Sequence, residues 1–188
     1  LAAALLAVSV LGAGAPAPAA EDRTASRDAA FYLSVDLSAR TLAVVKNGET
    51  VGSYPVAIGA PGHRTPTGEY HIRHMVWNPR WVPPDARWAR GKRPRAPGDP
   101  RNPMGRVKMF FREPDLYVHG TRETDSLGEA ESHGCIRMAN GAVIEVARTV
   151  MENGGEPRSA SWFRRVIDRF TDTRQVYLSR PVLIRIHG

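Results

Sequence analysis

Short runs of alternating apolar and polar residues, cut by turn residues, constrain this chain more than any other feature. Phe31, Leu33, Val35 and Leu37 alternate with Tyr32, Ser34 and Asp36. A period of two places the two sets on opposite faces of a strand. Ser38-Ala39-Arg40 reads as a turn and Thr41 to Lys46 as a second strand. Asn47-Gly48 then predicts a tight hairpin into a third strand, Glu49 to Ile58, because the favoured two-residue turn needs positive φ at both central positions. Pro55 is expected where the ladder needs no N–H. Further strands are expected at Glu69 to Met75, Arg106 to Phe111, Leu116 to His119, Gln175 to Leu178 and Pro181 to His187. Helical periodicity enters only late. Val143, Val146, Ala147 and Val150 predict a helix capped by Asn140 and closed by Asn153-Gly154-Gly155; Trp162, Phe163, Val166, Ile167 and Phe170 predict a second. The fold class is therefore mostly β, a barrel or sandwich with two peripheral helices.

The first twenty residues bear on the compartment. Leu1 to Leu11 is apolar apart from Ser9, and a stretch of Gly, Ala and Pro follows to Ala20. This predicts a signal peptide over residues 1–20 whose basic n-region is missing, a spacer over 21–30, and a domain over 31–187. The apolar run is too short for a stable membrane span in the mature chain. Export to the periplasm or cell wall is the expectation, and such compartments are oxidising, where structural cysteines come in pairs. Cys135 is the only cysteine. An unpaired thiol there is a liability unless it is used.

The net charge is +7, and only three of the 26 basic residues (Lys46, Lys92 and Lys108) are lysines. A basic surface favours polyanions such as nucleic acid, anionic headgroups or wall polymers. No helix-turn-helix, zinc-finger or aromatic RNA-binding motif accompanies it, so nucleic acid is not an expected partner. Residues 77–105 carry three of the four Trp with many Pro and Arg. Regular structure cannot run through such a segment, and its aromatics predict a packed, lid-like insertion.

The chemistry gathers between Tyr117 and Asn140, in Tyr-Val-His-Gly-Thr and Ser-His-Gly-Cys-Ile-Arg-Met. A thiol becomes a nucleophile when an imidazole takes its proton. His119 is one candidate base, provided a strand end faces it toward Cys135. His133 is a second, on the same face as Cys135 and Arg137 if Ser132 to Ile136 is extended. The amides of Gly134 and Cys135 are candidate oxyanion donors. Arg137 is a candidate for a substrate carboxylate or carbonyl, and the Gly120 carbonyl for holding the second imidazole N–H. Two other readings compete with this one: an inert buried thiol, and a zinc site of His119, His133 and Cys135, whose spacing matches no common zinc pattern. No metal or cofactor is expected. His63, His71, His74 and His187 are expected to be surface or satisfied histidines without a role.

His119-Gly120-Thr121 followed by Ser132-His133-Gly134-Cys135-Ile136-Arg137-Met138 resembles the active-site signature of the L,D-transpeptidases, the YkuD-type catalytic domain. Ile58-Gly59 with Thr65-Pro66-Thr67-Gly68, Asn78-Pro79 and Asn102-Pro103-Met104-Gly105 also look like landmarks of that family. The resemblance covers about Phe31 to His187. It implies an enzyme acting on peptidoglycan stem peptides. Cys135 would attack the carbonyl of the third residue of a tetrapeptide stem, release D-Ala and hold an acyl-thioester. An amine, in a second stem or in a wall-attached protein, would then accept the acyl group. His119 would serve as base and later acid, and Ser132, His133, Gly134, Arg137 and Gly120 would shape the oxyanion and substrate site. The same motif fits hydrolases of this fold, an L,D-carboxypeptidase or a wall-protein amidase, and less well a non-catalytic wall-binding module.

Overall fold

The computed structural model describes residues 30–188; the expected signal segment and nearly all of the spacer lie outside the described residues. Ten strands, β1 (Phe31–Asp36), β2 (Thr41–Lys46), β3 (Glu49–Pro55), β4 (Ile58–Gly59), β5 (Gly68–Trp77), β6 (Val107–Arg112), β7 (Leu116–Thr121), β8 (Ala130–Ser132), β9 (Ile136–Ala139) and β10 (Arg174–His187), are joined by two helices, α1 (Asn140–Asn153) and α2 (Ala160–Asp168). Eight strands form one sheet in the order β3-β2-β1-β10-β5-β6-β7-β9, and β4 pairs with β8 beside it. The two edges of the large sheet nearly meet. Just past β3, Ala57 exchanges both backbone hydrogen bonds with Arg137 of β9, at 3.0 and 2.9 Å. The result is a mostly β, almost closed barrel-like sheet with two helices. Among the described residues no helix is long and apolar enough to cross a membrane.

The alternation of β1 is realised, with Leu33 and Val35 buried, and the hairpin turns on positive φ at Asn47 and Gly48. The third strand ends earlier than expected. Pro55 closes β3 at the sheet edge, and the next two N–H groups turn away to Arg40 and Arg137 carbonyls. Ile58 and Gly59 then leave the large sheet to pair with β8. The two expected C-terminal strands are one, β10, broken in register between Tyr177 and Val182 but paired to β5 on both sides.

Two helix details differ from expectation. Asn140 does not cap α1; the cap position is Ala139, without a side-chain bond. The Asn140 Oδ1 instead accepts the Arg106 N–H at 2.9 Å, a donor that would otherwise lack a partner where the chain enters β6. Phe170 lies beyond α2 and is 44% exposed. Trp77 belongs to β5 and the core, packed against Trp162 and Phe163 with ring centroids 5.8 and 5.6 Å away. The insertion therefore begins at Asn78.

The core lies between α1 and the sheet. Val118 of β7, Ile136 and Met138 of β9 and Val143 and Val150 of α1 are all fully buried. Truncating one such side chain to Ala would cost about 2–5 kcal/mol. These inward residues hold β7 and β9 so that the intervening ones, Tyr117, His119 and Arg137, face outward.

Candidate active site

Strands β7 and β9 run parallel, with Val118 beside Ile136 and His119 beside Arg137. Continued by one step, this register sets Cys135 next to Tyr117. Parallel neighbours need a crossover connection, and residues 122–135 make it, carrying β8 and the cysteine. On the other side of β7, β6 sets Lys108 beside His119 and Phe110 beside Tyr117. Alternation then gives one outer face to Lys108, Tyr117, His119, Cys135 and Arg137. A cavity of about 1270 Å³ opens over that face, and its other wall is the insertion, with Trp81, Pro83, Trp88, Lys92 and Met104 among its lining.

Of the seven residues singled out from sequence, Cys135, His119, His133 and Arg137 line this cavity; Gly120, Ser132 and Gly134 do not. His119 is buried, and its Nδ1 lies 2.8 Å from the Gly120 carbonyl oxygen. A carbonyl only accepts, so Nδ1 carries the proton and Nε2 is left with a lone pair. Burial pushes the imidazole down to about 4, against the pull of the Gly120 and Pro103 carbonyls, with Arg137 and Lys108 pressing the same way as burial. Gly120 itself packs away from the cavity. A Cβ there would come within 2.3 Å of Asn140 Oδ1.

The Cys135 thiol donates to the Asp115 carbonyl at 3.3 Å rather than to His119. Burial pushes its pKa up, and this outweighs the backbone N–H and hydroxyl of Tyr117 and the charges of Lys108 and Arg137, all of which favour thiolate. The resting pair is thus a neutral thiol and a neutral imidazole.

The segment before Cys135 is not extended. His133 and Gly134 form a bend, with Gly134 at φ +104°. Ser132 Oγ accepts the Gly134 N–H at 3.1 Å and donates to the Cys135 carbonyl at 2.5 Å. The loop after β4 braces this bend. Thr65 Oγ1 accepts the Gly59 N–H at 2.9 Å and donates to the Gly134 carbonyl at 3.0 Å. His133 faces the cavity because Trp88 stacks on it, with centroids 4.0 Å apart and planes at 21°.

Of the four histidines expected to be at the surface or satisfied, His63 is exposed as expected and His74 is not. The His63 ring centroid lies 4.8 Å from that of His133. His74 is neither at the surface nor satisfied. It is buried between Phe110 and Tyr177, stacked at 5.0 and 4.4 Å, and neither ring nitrogen makes a hydrogen bond, though Glu113 Oε1 lies 3.4 Å from Nδ1. Sequence reasoning gave no role to Lys108 or Tyr117. The outward positions between Val107 and Met109, and two residues before His119, were the available signals.

The family model of the YkuD L,D-transpeptidase catalytic domain matches residues 30–177. The chain belongs to that family. The putative L,D-transpeptidase YkuD of Bacillus subtilis (strain 168) is 32% identical over 124 residues, which are 66% of this chain and 62% of that protein. The chain thus spans less than two thirds of that relative's length. The catalytic domain of the E. faecium L,D-transpeptidase superposes with a TM-score of 0.52 at 17% identity, covering 82% of this chain and 95% of that one. L,D-transpeptidase 3 from Mycobacterium tuberculosis, solved in complex with a faropenem-derived adduct, superposes with a TM-score of 0.51 at 17% identity over 85% of this chain and 60% of that one. These two likenesses establish the fold, that of an L,D-transpeptidase domain.

Proposed function

We propose that this protein is a peptidoglycan L,D-transpeptidase in which Cys135 is the nucleophile and His119 the proton carrier. The observation that carries the reading is the parallel β7–β9 pair, which brings the lone thiol and an imidazole with an unprotonated Nε2 to one cavity. Because both groups are neutral at rest, the proton moves with the attack rather than before it. On substrate binding the S–H turns from the Asp115 carbonyl toward Nε2; apo contacts of this kind commonly tighten only in the Michaelis complex. The sulfur bonds to the carbonyl carbon of the third stem residue as the proton passes to Nε2. Backbone N–H groups at the Gly134–Cys135 bend receive the oxyanion, and the Gly134 N–H has to release Ser132 Oγ to take part. The C–N bond then breaks, and D-Ala leaves with the proton from His119. An acceptor amine attacks the thioester, gives its proton to His119 and restores the thiol.

The insertion wall supports transfer over hydrolysis, since a covered thioester meets fewer waters. In this reading residues 78–105 act as the lid. Action on wall peptides places the protein outside the cytoplasm, in the periplasm or wall. The test is product analysis of tetrapeptide muropeptides by mass spectrometry. A cross-linked dimer with release of D-Ala is expected. A shortened monomer alone would assign a carboxypeptidase, and no product with retained wall binding would assign a binding module.

A further inference from the structure

Among the described residues Lys108 forms no ion pair inside the cavity; the one carboxylate that acts on it, Glu113, does not line the cavity. Lys108 sits on β6 beside His119, and its Nζ stands 4.6 Å from the Phe110 ring centroid and 4.7 Å from that of Tyr117. The other cations of the cavity are accounted for differently. Arg137 pairs with Glu123 at 3.7 Å, and Arg95 and Arg101 pair with Asp99 at 3.8 and 3.3 Å. Lys92 and Arg93 are exposed at the rim, Lys92 over the Trp88 ring. Two aromatic faces hold the Lys108 ammonium but accept no conventional hydrogen bond, and no carboxylate among the described residues is in contact with its N–H donors. The Cys135 thiol lies one strand beyond, on the far side of Tyr117.

We propose that Lys108, framed by Phe110 and Tyr117, is a carboxylate subsite that binds a carboxylate of the acyl donor next to the bond attacked by Cys135. This rests on the transpeptidase reading for the identity of the donor but not for the existence of the subsite. A stem peptide offers the terminal carboxylate of the departing residue and, where the third residue carries one, a side-chain carboxylate beside the scissile carbonyl.

The single cysteine permits a direct test. Alkylation by iodoacetate or by neutral iodoacetamide forms one S–C bond at Cys135, expels iodide and sends the thiol proton to solvent. The ratio of the two rates cancels any change in thiolate fraction. Replacing Lys108 by Met should lower the iodoacetate-to-iodoacetamide ratio about tenfold, the scale of a lost hydrogen bond to a charged group, and Lys108→Arg should largely retain it. An unchanged ratio in a folded Lys108→Met protein overturns the subsite, even if both rates fall together. On peptides, wild type should show a raised KM for the donor amidated at the engaged carboxylate, terminal or side-chain, relative to the unmodified donor, and Lys108→Met should show little difference between them. Equal KM for both amidated donors also overturns it. Absence of turnover with any stem peptide, together with the alkylation preference, would sink the transpeptidase reading and leave the subsite standing.

Discussion

One wall of the cavity is sheet and the other is insertion. The sheet wall, made by β6, β7 and β9, is fixed by ladder hydrogen bonds and by a core whose residues at Val107, Met109, Val118 and Ile136 are fully buried. The insertion has one 3-10 turn, Arg87–Ala89, and a single bridge between Trp81 and Arg95. It is held at its ends by two buried asparagines. Asn78 Nδ2 donates to the Val166 carbonyl at 2.8 Å, and Asn102 Nδ2 donates to those of Pro79 and Ala96 at 2.9 and 3.0 Å. Between them the Trp88–His133 stack joins this wall to the cysteine loop. In the proposed reading the contrast separates tasks: groups that must be placed to a fraction of an ångström ride on strands, and the groups proposed to cover the substrate ride on an irregular segment.

If that division holds, damage to the sheet wall should reach the chemistry itself. His119→Ala should slow acylation of Cys135 by about 10²–10⁴-fold, the range for losing a general base. Near-normal acylation in that variant would hand the proton to His133 and break the comparison. The pH profile sharpens it. His119 works as a base only when neutral, and its folded pKa is depressed from 6.5 to about 4. The acid limb of wild-type acylation should therefore have its midpoint near 4 and the rate should stay level from there into the neutral range. A midpoint near 6.5 would mean that the base is a solvated imidazole.

Damage to the insertion should be smaller and of another kind. Trp88→Ala should leave thiol acylation largely intact but lower the ratio of transfer to hydrolysis about 2- to 10-fold, as follows from a stacking contact of ~0.5–1.5 kcal/mol. Product analysis by mass spectrometry reads the ratio. An unchanged ratio would remove the covering role from this wall.

Much of the sheet wall was legible from local pattern. Alternation gave the strands, and Asn47-Gly48 gave a hairpin, because both report on a few neighbouring residues. Which strands pair is a long-range property, so the parallel β7–β9 contact that unites His119 with Cys135 rested on the motif. The condition that Ser132 to Ile136 be extended fails at Gly134 for a remote reason: Thr65 bonds the Gly134 carbonyl across the chain. Asn140 reads locally as a cap, but the Arg106 N–H that claims its side chain is far away in sequence. Asn78 and Asn102 stood out only as family landmarks, and their anchoring bonds give the physical reason those positions need a side-chain amide. Lys108 carries no local signal of its own, because only the pairing of β6 with β7 brings it to the face that holds the thiol.

The central claim is that Cys135 carries the acyl group. Intact-mass analysis after mixing with a tetrapeptide stem, or with a carbapenem as a slowly released acylating agent, tests it directly. Wild type should gain the mass of the stem less D-Ala, or of the whole β-lactam, at one site mapped to Cys135, and Cys135→Ala should gain nothing. An adduct that persists in Cys135→Ala, or a wild-type protein that turns over stem peptides while Cys135 is alkylated, would contradict the account.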